Sequence, residues 1–84
     1  MKINLVGLKD YIKDGVIKGV TVYGVLLDPI GSNGYGNETF REYLRGFDGS
    51  NFEVGEVYEV EFEQYKLRDG YAARVVGLRK EEDE

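Results

Sequence analysis

The 84-residue chain contains no cysteine, no histidine and a single proline. Without cysteine there is no disulfide framework to supplement a thin core, and no thiolate chemistry. Small secreted domains commonly depend on such staples, so an intracellular, cytoplasmic setting is expected. Without histidine the commonest general base is missing, and with it a usual zinc ligand. Carboxylates alone could hold magnesium or calcium, but the acidic run Glu56–Glu63 alternates as a strand does and lacks calcium-loop spacing. The residues thus call for no catalytic centre, metal or cofactor, and a protein that is not an enzyme is expected. Long apolar runs are missing as well. None approaches the roughly 18–20 residues of a membrane span, and the start Met1–Leu5 shows no signal-peptide core, so no membrane partner is expected.

Positive charge is in deficit, with 11 Lys and Arg against 16 Asp and Glu for a net charge of −5. Phosphate neutralisation by cations supplies most non-specific affinity for nucleic acid, so this balance argues against a generic coat. The charge is nevertheless unevenly placed. Four acids close the chain at Glu81–Glu84, and Glu59, Glu61 and Glu63 share one strand face; without the closing four the net charge is about −1. A local basic face fits within a body so near neutrality. The length suits one domain, a β-barrel over residues 1–80 followed by an acidic tail at 81–84.

Glycine is abundant at 12, and short runs of β-branched and aromatic residues lie between the glycines, the pattern of strands and turns. The first run, Lys2–Leu8, is followed by a turn signal at Asp14-Gly15. Val16–Asp28 reads as a long strand with Val20, Val22 and Leu26 on one face and Thr21, Tyr23 and Val25 on the other. Gly19 and Gly24 within it mark a bulge or sharp coiling. Pro29 and the run Gly31–Gly36 form a connection carrying Tyr35, either a long hairpin loop or a flap over a ligand. Residues 39–46 fit two patterns: a short helix with Phe40, Tyr43, Leu44 and Phe47 on one face, or a strand with Phe40 and Leu44 inward and Arg41, Tyr43 and Arg45 opposite. The strand is preferred, because so short a helix is marginal. Glu56–Lys66 alternates, with Tyr58, Val60 and Phe62 expected in the core. A three-residue loop Arg68-Asp69-Gly70 pairs Leu67 with Tyr71, Phe62 with Val76 and Val60 with Leu78. The expected fold is all-β, a small five-stranded barrel of the OB type with an SH3-like barrel as the alternative.

Once the inward positions are removed, a set of cations and aromatics remains: Lys18, Tyr23, Tyr35, Arg41, Tyr43, Arg45, Tyr65, Lys66, Arg68, Tyr71 and Arg74. Proteins that hold single-stranded DNA or RNA combine exposed aromatics, on which bases stack, with cations that follow the backbone. The densest cluster surrounds one hairpin tip, Tyr65-Lys66 and Arg68 through Tyr71. A plainer reading has these tyrosines covering strand edges and the cations pairing across strands with Glu59, Glu61 and Glu63. A different function class, a protein-binding module or inhibitor encoded by a mobile element, would act through Glu53, Glu56, Glu59, Glu61 and Glu63 with the tail.

The run Gly55–Phe62, then Tyr65-Lys66, a tip, and Val75–Arg79 resembles the C-terminal hairpin of filamentous-phage single-stranded DNA-binding proteins. Lys18-Gly19 followed by Tyr23 is loosely similar to their second strand. The resemblance covers about half the chain and implies an OB-type barrel, a homodimer and single-stranded DNA as partner in replication. The acidic balance and the glycine loop 31–36 depart from that family. The acidic end is also similar to the partner-recruiting tails of bacterial single-strand binding proteins, without their apolar terminus.

Overall fold

The computed structural model describes residues 1–81, so the tail expected at 81–84 lies, beyond Glu81, outside the described residues. Five antiparallel strands form one sheet: β1 (Lys2–Lys13), β2 (Val16–Pro29), β3 (Asn37–Arg45), β4 (Val57–Leu67) and β5 (Gly70–Lys80), in the order β3-β2-β1-β4-β5. The all-β reading is therefore what is observed. The sheet coils until β3 approaches β5, but no ladder joins these two edges, and the molecule is barrel-like rather than closed. Residues 39–46 are strand, and the helical alternative is not realised. Among the described residues no helix is long and apolar enough to cross a membrane.

Asp14 and Gly15 join β1 to β2 as a two-residue turn with φ of 54° and 77°, the left-handed pair that matches strand twist and favours Asp-Gly. β1 does not end at Leu8, as the first apolar run implies, but continues to Lys13. Two irregularities shape this hairpin. Leu5 faces Gly24 while Gly7 faces Tyr23, leaving Val6 as an extra residue, and Lys18 is the extra residue between the pairs Tyr11–Gly19 and Ile12–Ile17. The Val6 bulge reverses the phase of β1. Ile3 and Leu5 point into the core before it, whereas Leu8 lies beside Val22 after it, sending Lys9, Tyr11 and Lys13 to the face away from the core.

The core consists of Ile3, Leu5, Val20, Val22, Phe40, Leu44, Phe52, Tyr58 and Val60. β2 and β3 contribute their even positions, as the alternation requires. Phe52 packs between Phe47 and Tyr58, with ring centroids 5.7 Å and 5.8 Å away, and the Tyr58 hydroxyl accepts the Glu53 N–H at 2.7 Å. A single 3-10 turn, Gly49–Asn51, follows Asp48. Its carboxylate accepts from the Ser50 hydroxyl and N–H, which hold it below the usual carboxylate range. Asp10 fastens this turn to β1 by accepting the Gly49 N–H at 2.7 Å.

Two expectations for the last hairpin are corrected. The turn is the two residues Arg68-Asp69, pairing Leu67 with Gly70 and Phe62 with Val75; Gly70 has φ of 149°. Val76 is then an extra residue, and its bulge restores the expected pairing of Val60 with Leu78. Phe62 is not core but 47% exposed. The reason is that β4 outruns β1. Their ladder stops at Lys2–Glu59, Val60 N–H donates to the Met1 carbonyl, and from Glu61 onward β4 has only β5 beside it.

Candidate nucleic-acid interface

The face of β1, β2 and β3 turned away from the core is built in cross-strand rows. Tyr11 lies beside Gly19 and Arg45, Lys9 beside Thr21 and Tyr43, and Gly7 beside Tyr23 and Arg41. Each glycine leaves room for a tyrosine from a neighbouring strand. A Cβ on Gly7 would stand 3.6 Å from the Tyr23 ring, and one on Gly19 would overlap the Tyr43 phenol. Tyr43 meets Tyr11 edge-on, with centroids 6.2 Å apart and planes at 77°. The Arg41 guanidinium lies 5.7 Å from the Tyr23 ring centre, within cation–π range. The tyrosines are thus seated on the sheet, and Tyr11 and Tyr43 remain half exposed.

Three clefts adjoin along this face. The first, about 200 Å³, lies among Lys9, Asp10, Tyr11, Thr21, Tyr23 and Arg41. It shares Tyr11 with a cleft of about 600 Å³ that adds Lys13, Lys18, Tyr43 and Arg45. That cleft shares Tyr43 and Arg45 with a third, about 360 Å³, at the seam where β3 faces Arg74, Val75 and Val76 of β5. Beyond the seam, the Arg74 guanidinium lies 5.8 Å from the Tyr65 ring centre.

Charge is sorted along this track. Of the 11 cationic residues, Lys9, Lys13, Lys18, Arg41, Arg45 and Arg74 line it, whereas among the described residues Asp10 is the one acid lining these clefts. Among the described residues the first five make no ion pair. Three acids neutralise cations elsewhere: Glu81 pairs with Lys2 at 2.9 Å, Glu53 with Lys80 at 3.2 Å and Glu59 with the Met1 amine at 3.2 Å, while Glu63 pairs with Arg74 at the end of the track at 3.4 Å. Hydrogen bonding to Glu81 and to Glu53 raises the Lys2 and Lys80 ammonium pKa values above the ordinary lysine value.

Lys18, Tyr23, Arg41, Tyr43, Arg45 and Arg74 are therefore brought onto one continuous surface, which Tyr65 adjoins only through Arg74, on the β4 face that also carries Glu59, Glu61 and Glu63. Lys66 and Tyr71 form a cross-strand pair on the opposite face of the β4–β5 hairpin from Tyr65, and Arg68 sits in its tip. Tyr35 stands apart, 94% exposed in the loop at the far end of β2. Six residues of β2, roughly 20 Å of extended chain, separate Tyr23, at the near end of the track, from Pro29. Three contributors escape the sequence reading: Lys9, Tyr11 and Lys13. Their signal is the alternation of Lys9, Tyr11 and Lys13 with Asp10 and Ile12 leading into Asp14-Gly15, the pattern of a strand that runs to its turn.

No protein-family model, curated protein sequence or solved structure matches this chain.

Proposed function

We propose that this protein binds single-stranded nucleic acid without catalysing a reaction, along the track that crosses β1, β2 and β3 and ends at Arg74. The observation that carries the reading is the segregation of charge: in a chain of net charge −5, the adjoining clefts beside Tyr11, Tyr23 and Tyr43 are lined by six cations and, among the described residues, one acid. Bases stack on seated, half-exposed tyrosines while unpaired cations follow the phosphates. Proteins of the OB type use this side of strands 2 and 3 for oligonucleotides. The resemblance of the last hairpin to filamentous-phage single-stranded DNA-binding proteins points the same way.

That resemblance also implies a homodimer. Phe62 and Tyr71 are exposed on one face of the β4–β5 hairpin, an apolar pair that a second copy would cover. The alternative, a protein-binding module working through its acidic face, has less support. Glu53 and Glu59 of that face are engaged by Lys80 and the Met1 amine.

The test is a titration of labelled oligo(dT) at about 50 mM and about 200 mM salt, where backbone contacts make affinity fall steeply with salt. Salt-dependent binding is expected. No binding at the lower salt with tens of micromolar protein would leave the acidic face as the reading to pursue.

A further inference from the structure

We propose that the seam between β3 and β5 is a phosphate clasp, holding one phosphate group between the guanidiniums of Arg45 and Arg74. The inference rests on the nucleic-acid reading for the source of that phosphate, a phosphodiester of the bound strand. Both walls of the seam are sheet edges without a ladder between them, so edge N–H groups on either side are left without sheet partners. Its floor is apolar, formed by buried Leu44 and half-buried Val75. Arg45 and Arg74 line the same cleft of about 360 Å³ from opposite strands. Two like charges beside one apolar floor repel each other unless an anion lies between them.

The cleft's own chain supplies little compensation. Arg45 makes no ion pair among the described residues, and Arg74 makes one long contact, Nη2 to Glu63 Oε2 at 3.4 Å between exposed side chains. Such an exposed pair is weak. Glu63 and the Tyr65 ring hold the Arg74 head in place while leaving most of its five donors unused. A phosphate has oxygens for both guanidiniums, whose planar forks match it better than a lysine ammonium would. By bridging the two arginines it ties the β4–β5 hairpin to β3, so occupancy of the clasp orders a seam that the backbone leaves open.

Amide hydrogen exchange of the full chain tests the clasp at residues 42–46 and 73–77. Inorganic phosphate is compared with chloride at equal ionic strength, and an eight-residue oligo(dT) is added separately. Both ligands are expected to slow exchange on the two strands together, and Arg45→Gln or Arg74→Gln to abolish the effect while the fold persists. With Arg45→Gln, the salt slope of oligonucleotide binding should drop by roughly 0.7, the share of one phosphate. Oligonucleotide binding without slowed exchange, and with an unchanged slope in Arg45→Gln, overturns the clasp and leaves the nucleic-acid reading standing. Slowed exchange with phosphate but no oligonucleotide binding supports the clasp, with free phosphate as its ligand, and overturns the nucleic-acid reading. Unchanged exchange with both ligands overturns the clasp.

Discussion

The phenol ring of Tyr43 occupies the space above Gly19, where any side chain would collide with it and would also stand 2.8 Å from the Leu44 carbonyl oxygen. A ring can swing aside, but the backbone carbonyl belongs to the β2–β3 ladder and cannot. Gly19→Ala is therefore expected to cost about 1–3 kcal/mol, the usual range for overpacking. It should also displace Tyr43 and weaken oligonucleotide binding. Urea unfolding and an oligo(dT) titration of the same variant check this. Full stability with unchanged affinity would mean that the seat under Tyr43 is not required.

The half-exposed track tyrosines Tyr11 and Tyr43 should behave alike, and differently from Tyr35, the most exposed tyrosine among the described residues. Tyr43→Ala and Tyr11→Ala are each expected to weaken oligo(dT) binding by about 1–3 kcal/mol, because a stacking platform is removed. Tyr35→Ala should leave affinity unchanged, because the far end of β2 carries it away from the clefts. Fluorescence anisotropy of the three variants decides the matter, and equal losses at all three positions would argue for a binding surface other than the one described.

Charge changes should separate by position, the clefts of β1–β3 against the acids of β4. Lys18→Gln and Arg41→Gln are each expected to lower the slope of log affinity against log salt, by roughly 0.7 for every phosphate no longer neutralised. Glu61→Lys, on the acidic face, should leave that slope alone. If Glu61→Lys impairs function while Lys18→Gln and Arg41→Gln are silent, the acidic-face reading gains.

Stability depends on where β1 gives out. Phe40 lies in the core, and its truncation to Ala is expected to cost about 3–5 kcal/mol, approaching the whole stability of a small domain. Phe62→Ala should cost much less, because its strand has passed the start of β1 and only β5 flanks it. Denaturant midpoints of the two variants are the check, and equal losses would place Phe62 in a core.

The contrast between these phenylalanines also shows how far the sequence is readable. Alternation puts Tyr58, Val60 and Phe62 on one side of β4, and they are on one side. Periodicity names the side but not what covers it, since cover depends on where a distant strand begins. Likewise Phe40 and Leu44 turn inward and Arg41, Tyr43 and Arg45 outward, as alternation requires. The Val6 bulge that turns Lys9, Tyr11 and Lys13 outward leaves no trace in local composition, because a bulge is an event between two strands. The bulge at Val76 hides a turn one residue shorter than expected in the same way.

Whether one tyrosine- and cation-lined track takes up single-stranded nucleic acid is decided by amide chemical-shift mapping with an eight-residue oligo(dT) at about 50 mM salt. Shifts are expected to concentrate at residues 9–13, 18–23, 41–45 and 74–76, with the loop around Tyr35 and the strand face of Glu59 and Glu61 unmoved. Shifts centred on that loop or on the acidic face, or none at tens of micromolar protein, would contradict the proposal.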